Sequence, residues 1–174
     1  MLSKNFIFLD FSLDQKYIIL LIQGKLYNKK ILTLKKSENI SNIFYSFIKK
    51  NKIKVDKTFC LFVNIGPGNL ISIRNSIVFA KMTAMFFGCK LLGFSNYQLI
   101  KLNNIKINKA LLTLGYKNLL FDLSKKKVNK LSVHEARKFQ SLKIKTIYNK
   151  KILKNLILSK KPIKKVVPIP YSNI

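Results

Sequence analysis

Few side chains in this sequence could carry chemistry. The carboxylates are Asp10, Asp14, Glu38, Asp56, Asp122 and Glu135; one histidine, His134, and two cysteines, Cys60 and Cys89, complete the set. A two-metal nuclease needs several carboxylates converging on its ions. Only Asp10, near the end of an apolar run, stands where such an enzyme would place one. A zinc site needs three or four clustered ligands, which one histidine and two distant cysteines do not supply. His134 sits beside Glu135 and near Arg137, and reads as a solvated surface histidine. The cysteines lie in apolar contexts and read as buried free thiols.

The remaining candidate is a corner, Gly66-Pro67-Gly68, within "VNIGPGNL". A phosphate loop needs backbone N–H groups aimed at one point, commonly through G-x-x-x-x-G-K-S/T, and this stretch does not match. Proline removes one donor from the turn. A helix N-terminus follows, weakly attractive to any anion. The hairpin "DFSLDQK" has Asp10 and Ser12 but carries bulky Phe11 and Leu13 and no glycine. It offers no close backbone approach to a phosphate, which argues against a small kinase. The chemistry points to a chain without an active site.

The elements that would position these residues follow from periodicity. Residues 5–12, 16–23 and 26–34 are β-rich, with "QGK" as a hairpin turn between the second and third. Ile40, Ile43, Phe44, Phe47 and Ile48 fall on one helical face, with Ser37 or Asn39 as cap. "TFCLFVNI" is nearly all apolar, as a strand buried on both faces should be. A helix is expected over 70–87, closed by Gly88, then a strand over 89–94 and a helix capped by Ser95. Three antiparallel strands, helix, strand, helix, strand, helix is the opening of a ribonuclease H-like lobe, the unit repeated in actin-like ATPases. Further on, "KALLTLGYKNLLFDLSKKK" reads as a hairpin across residues 115–118. "SVHEARKF" reads as a short helix with a Ser132–Glu135 capping box, "KIKTIY" as a strand, and "NKKILKNLILS" as a helix with a stripe at Ile152, Leu153, Leu156 and Ile157.

The 174 residues carry a net charge of +28. Such a field attracts polyanions, RNA above all. Yet only Arg74 and Arg137 are arginines among 34 basic residues, and alanine occurs four times. That is also what an AT-rich coding sequence yields, and lysine is a poor bidentate reader of phosphate. A hydrophobic fraction of 48% excludes a disordered chain. No apolar run reaches the ~18 residues of a membrane span. Asp10 interrupts the first apolar run and no small-residue cleavage site follows, so the expectation is a cytoplasmic protein.

The helix after the corner carries a second signal. Ser72, Ser76, Ala80 and Ala84 recur every four residues, a small-residue ridge that lets another backbone come close. Ile73, Ile77 and Phe87 lie to one side of it, and Val78, Met82 and Met85 to the other. Such a helix is expected either to pack wholly inside the chain or to meet a partner protein.

"FIFLDFS" and "GPGNLISIRNSIVFAKMTAMFFGCKLLGFSNYQLI" together resemble the TsaB (YeaZ) family, whose first strand ends in L-D-T-S and whose corner reads G-P-G-S-F-T-G. The matches are Leu9, Asp10, Ser12, Gly66, Pro67, Gly68, Arg74, Ala80, Lys81, Gly88, Leu91, Gly93, Ser95 and Leu99. "SEN" at 37–39 resembles the opening of the family's first helix. "VVPIPYSN" resembles its closing P-x-Y-x-R, with Asn173 at the arginine. Residues 69–72 depart from S-F-T-G, and Leu114-Gly115-Tyr116 replaces the D-A-R of the second lobe.

The resemblance implies an α/β fold of the ribonuclease H-like, actin-like (ASKHA) type. Its first lobe would be 1–103. A reduced second lobe, 104–174, would end in a helix and tail that pack back on the first. It implies a catalytically silent subunit that pairs with a TsaD-like catalytic subunit, or with its own copy. The complex transfers a threonylcarbamoyl group to the adenosine beside the anticodon of tRNA. The pairing would use residues 37–50 and 70–87. The expected interface residues are Ile43, Phe47, Ser72, Arg74, Ser76, Ala80 and Ala84. Asp10, Ser12, Gly66 and Gly68 are the expected remnant of a nucleotide site, with no cofactor beyond ATP or ADP at the partner interface and no metal. tRNA would be met indirectly or through a lysine-rich surface. The rival reading is a stand-alone basic RNA-binding protein on a degenerate ribonuclease H-like fold.

Overall fold

The computed structural model describes residues 5–31, 39–103, 106–143, 147–159 and 166–169. Strands β1 (Asn5–Asp10), β2 (Lys16–Ile22) and β3 (Lys25–Ile31) form an antiparallel meander, followed by helix α1 (Ile40–Lys50). Strand β4 (Phe59–Asn64), helix α2 (Leu70–Phe87), strand β5 (Lys90–Phe94) and helix α3 (Asn96–Asn103) come next. β4 pairs parallel with β1 and with β5, giving one sheet in the order β3-β2-β1-β4-β5. This is the ribonuclease H-like lobe of the actin-like fold.

Strand alternation divides the core into two layers. Ile7, Leu9, Leu61 and Val63 face α1 and α2. Phe8 and Phe62 face the opposite layer, with their rings stacked 5.0 Å apart. Every residue of β4 is buried, as its unbroken apolar run requires. The edge strand β3 carries Lys25, Lys29 and Lys30, a means of discouraging edge-to-edge pairing. Gln23 and Gly24 both have positive φ in the turn before it.

The second unit is smaller. β6 (Lys109–Leu114), β7 (Lys117–Asp122) and β8 (Lys127–Leu131) form an antiparallel sheet, followed by α4 (Val133–Lys138) and a short 3-10 turn. The expected capping box of Ser132 and Glu135 is present. Strand β8 was not expected; its "KVNKL" is short and polar. Leu13, from the β1–β2 turn, and Ile100, from α3, enter the core of this second sheet. Asp14 Oδ2 accepts from the Gly115 N–H at 2.7 Å, a further link between the two sheets.

Helix α5 (Lys150–Leu158) returns to the first sheet, where Ile152, Leu153 and Leu156 cover Phe8 and Phe62 with Leu99 of α3. The strand expected over "KIKTIY" is reduced, among the described residues, to one bridge between Lys143 and Leu111. Residues 144–146 lie outside the described residues, and Tyr148 is a buried residue leading into α5.

Candidate functional site

The carboxyl ends of β1, β4 and β5 meet at the corner, where open α/β sheets place ligands. Asp10, Ser12, Gly66 and Gly68 do come together there, and all four are buried. Asp10 Oδ1 accepts from the Ser12 N–H at 2.9 Å and from Ser12 Oγ at 2.6 Å. Asp10 Oδ2 accepts from the Tyr148 hydroxyl at 2.5 Å. Ser12 Oγ in turn accepts from Asn96 Nδ2 at 2.9 Å. Asn96 Nδ2 also donates to the Pro67 carbonyl, and Asn64 Nδ2 donates to Asn96 Oδ1. A buried polar group without a partner is costly, and this network gives each member one.

The corner is held from every side. The Gly66 N–H donates to Asn64 Oδ1 and its carbonyl accepts from the Asn96 N–H. The Asn69 N–H donates to the Ser12 carbonyl, and the Ile169 N–H to the Ile65 carbonyl, both at 2.7 Å. A Cβ added at Gly68 would lie 2.1 Å from the Ser12 carbonyl oxygen. The glycine is therefore required by the approach of the β1–β2 turn. Gly66, at φ 99°, is required by its backbone angle. The corner's glycines admit neighbouring chain, and its polar groups are spent on that chain.

Tyr148 is displaced well above its ordinary pKa, chiefly by burial and then by the charge of Asp10. Burial also raises Tyr17, with Asp10 adding to it. The sequence reading missed Asn64, Asn96 and Tyr148. Asn64 had a signal, a polar residue closing an apolar strand. Tyr148 is 138 residues from Asp10 and had none.

The other candidates have structural roles. Asp56 accepts from Thr58, Asp122 from Ser124 and Lys125, and Glu135 from Ser132. Those hydrogen bonds hold all three carboxyls below their usual range. Glu38 lies outside the described residues. His134 is exposed. Cys60 and Cys89 are free and buried; burial pushes the Cys60 thiol up to about 11 and raises Cys89 as well. Among the described residues no three histidine, cysteine, aspartate or glutamate side chains cluster to hold a metal.

The ridge on α2 faces inward, which corrects the expected interface. Ser76 and Ala80 are 0% exposed and Ala84 8%. Their small size lets α2 lie close on β4. Ile43 and Phe47 of α1 are buried in the same core and are not partner-facing either. Of the expected interface residues only Arg74 is exposed, with Ser72 half-buried. The outward face of α2 is a different stripe: Ile71, Val78, Met82, Met85 and Phe86 are all exposed, the last two at 84% and 79%. Of the twelve large apolar side chains exposed among the described residues, seven lie on α1 or α2. By length and composition alone α2 is long and apolar enough to cross a membrane, although Arg74 and Lys81 interrupt its apolar run and its inner face is covered by the sheet. A groove of about 420 Å³ opens between the start of α1 and α2, lined by Phe11, Ile40, Ser72, Val78, Phe79 and Met82.

No protein-family model matches the sequence, and no curated protein matches it. The structure is similar to YeaZ from Pseudomonas aeruginosa, with a TM-score of 0.63, 9% identity, and coverage of 95% of this chain and 99% of that one. It is also similar to a structure described as an uncharacterized protein with similarity to peptidase YeaZ from Pseudomonas aeruginosa. There the TM-score is 0.54 at 13% identity, covering 74% of this chain and 64% of that one. At such identities the likeness concerns architecture, and at that level the chain has the fold of YeaZ.

Proposed function

We propose that this chain is a non-catalytic partner subunit of the machinery that places threonylcarbamoyl on the adenosine beside the tRNA anticodon. It pairs with a TsaD-like catalytic subunit through α1 and α2, in the cytoplasm. The observation that carries the reading is the outward face of α2, which presents Ile71, Val78, Met82, Met85 and Phe86 to solvent on a YeaZ fold. Monomeric proteins rarely leave such a patch bare. The filled corner supports the silent half of the reading, because the buried polar atoms of Asp10 and Ser12 are engaged by Tyr148, by Asn96 and by each other. Any nucleotide belongs at the partner interface, outside this corner.

The test is co-purification with the TsaD-like subunit of the same genome. Wild type is expected to bind, and Met82→Glu to weaken binding by about tenfold or more. Burying a methionine contributes about 1.5–3 kcal/mol, and each 1.4 kcal/mol is a factor of ten in affinity. Absence of binding, or a Met82→Glu variant that binds like wild type, would overturn the pairing. ATP turnover by the isolated chain that survives re-purification and disappears in Asp10→Asn would overturn its silence.

A further inference from the structure

The charges around the α2 stripe say what kind of surface it meets. Neither α1 nor α2 contains an aspartate or glutamate. Arg74 and Lys81 lie along one flank of the stripe, both exposed, and Lys49 and Lys50 close α1 on the other. Glu38, the acid nearest α1 in sequence, is outside the described residues, and Asp56 is occupied by Thr58. Resting on the pairing proposed above, we infer that the occupant of this face is a different protein, with an apolar helix face bordered by carboxylates, rather than a second copy of this chain.

The argument is one of complementarity. A two-fold contact places the same patch against itself. Here it would set the Arg74 and Lys81 of one copy around the same apolar seam as those of the other. Like charges facing across an interface cost several kcal/mol. The screening length at physiological salt is about 8 Å, longer than the gap across a rim. Two bodies of charge +28 also repel before they touch. An acidic rim reverses every one of these terms. It leaves the groove beside Val78 and Met82 to receive one apolar side chain.

The probes are the chain itself, the TsaD-like subunit and vesicles containing phosphatidylglycerol. Sedimentation of the wild-type chain is expected to show a monomer from low to high salt. Binding to the TsaD-like subunit is expected to weaken as salt rises, and to fall at least tenfold in Arg74→Glu/Lys81→Glu. That variant should fold normally, since both side chains are exposed. If the TsaD-like subunit binds and the double reversal changes nothing, the acidic rim is overturned while the pairing stands. If wild type does not bind it at all, the pairing reading fails and this inference falls with it. A wild-type dimer dissolved by Met82→Glu overturns the inference whether or not the TsaD-like subunit binds. Vesicle flotation that Met82→Glu abolishes would assign the stripe to a membrane surface and also overturn it.

Discussion

The hydroxyl of Tyr148 donates to Oδ2 of Asp10 and closes the end of β1 with a residue that enters from beyond the second sheet. The position where this fold would admit a ligand is thus occupied by the chain's own C-terminal third. The contact ties the first strand to the start of α5. It makes the corner a point of assembly between the two ends of the sequence.

Tyr148→Phe removes the donor that, among the described residues, Oδ2 accepts from, and so leaves a buried carboxylate oxygen without it. The expected loss is about 1–3 kcal/mol, read by denaturant unfolding at pH 8. The pH dependence has a definite sign. The phenol's folded-state pKa is raised, so the stability tied to it is complete below the ordinary tyrosine value. That stability drains away as pH rises from about 10 toward the folded value, because the unfolded chain releases the proton first. Wild type should therefore lose more stability than Tyr148→Phe between pH 9 and pH 11. Equal losses would show that the phenol is not held as described.

Ala80→Arg separates the two faces of α2. Ala80 is fully buried against the sheet, and an arginine there is an unpaired buried charge costing about 3–5 kcal/mol. The expected outcome is an unfolded or strongly destabilised chain by circular dichroism melts. Met82→Glu, on the opposite face, should melt within about 0.5 kcal/mol of wild type. A folded Ala80→Arg that loses only partner binding would return the small-residue ridge to the interface.

That contrast explains which parts of the site could be read in advance. The bounds of α2 were legible because Gly88 ends it with φ 66° and the apolar run starts at once after the corner. Its direction was not. Ile73 and Ile77 on one side and Val78 and Met82 on the other are equally apolar, so periodicity gives two faces and no choice between them. The choice is made by the sheet, which buries Ile73 and Ile77 together with the small residues and leaves Val78 and Met82 outside. On α1 the single apolar face was legible, but its destination was misassigned, since Ile43 and Phe47 cover the sheet. The corner's glycines were legible as a turn. What they admit, the Ser12 carbonyl and the backbone of Ile169, depends on distant segments that no local pattern announces.

The last prediction concerns the charge. Lys125, Lys126 and Lys127 crowd the β7–β8 turn and are exposed, with Lys130 on the following strand. The proposed function would bring this chain to a complex that acts on tRNA, and this turn is a lysine-rich surface it could offer. Lysines that neutralise phosphates release counterions, so affinity falls with salt by ~0.9 log unit per log unit of salt for each duplex phosphate, less for single strands. The isolated chain is expected to bind tRNA at low salt with a steep slope. Replacing those three turn lysines by glutamine should reduce the slope by about one for each lysine in contact. Because lysine reads charge rather than base identity, an unrelated RNA of the same length should bind with a similar slope. Filter binding across a salt series measures all of this. A flat titration, or a slope untouched by the substitutions, would leave the β7–β8 turn out of any RNA contact. The lysine excess there would then be a consequence of base composition, tolerated because every one of those side chains stands in water.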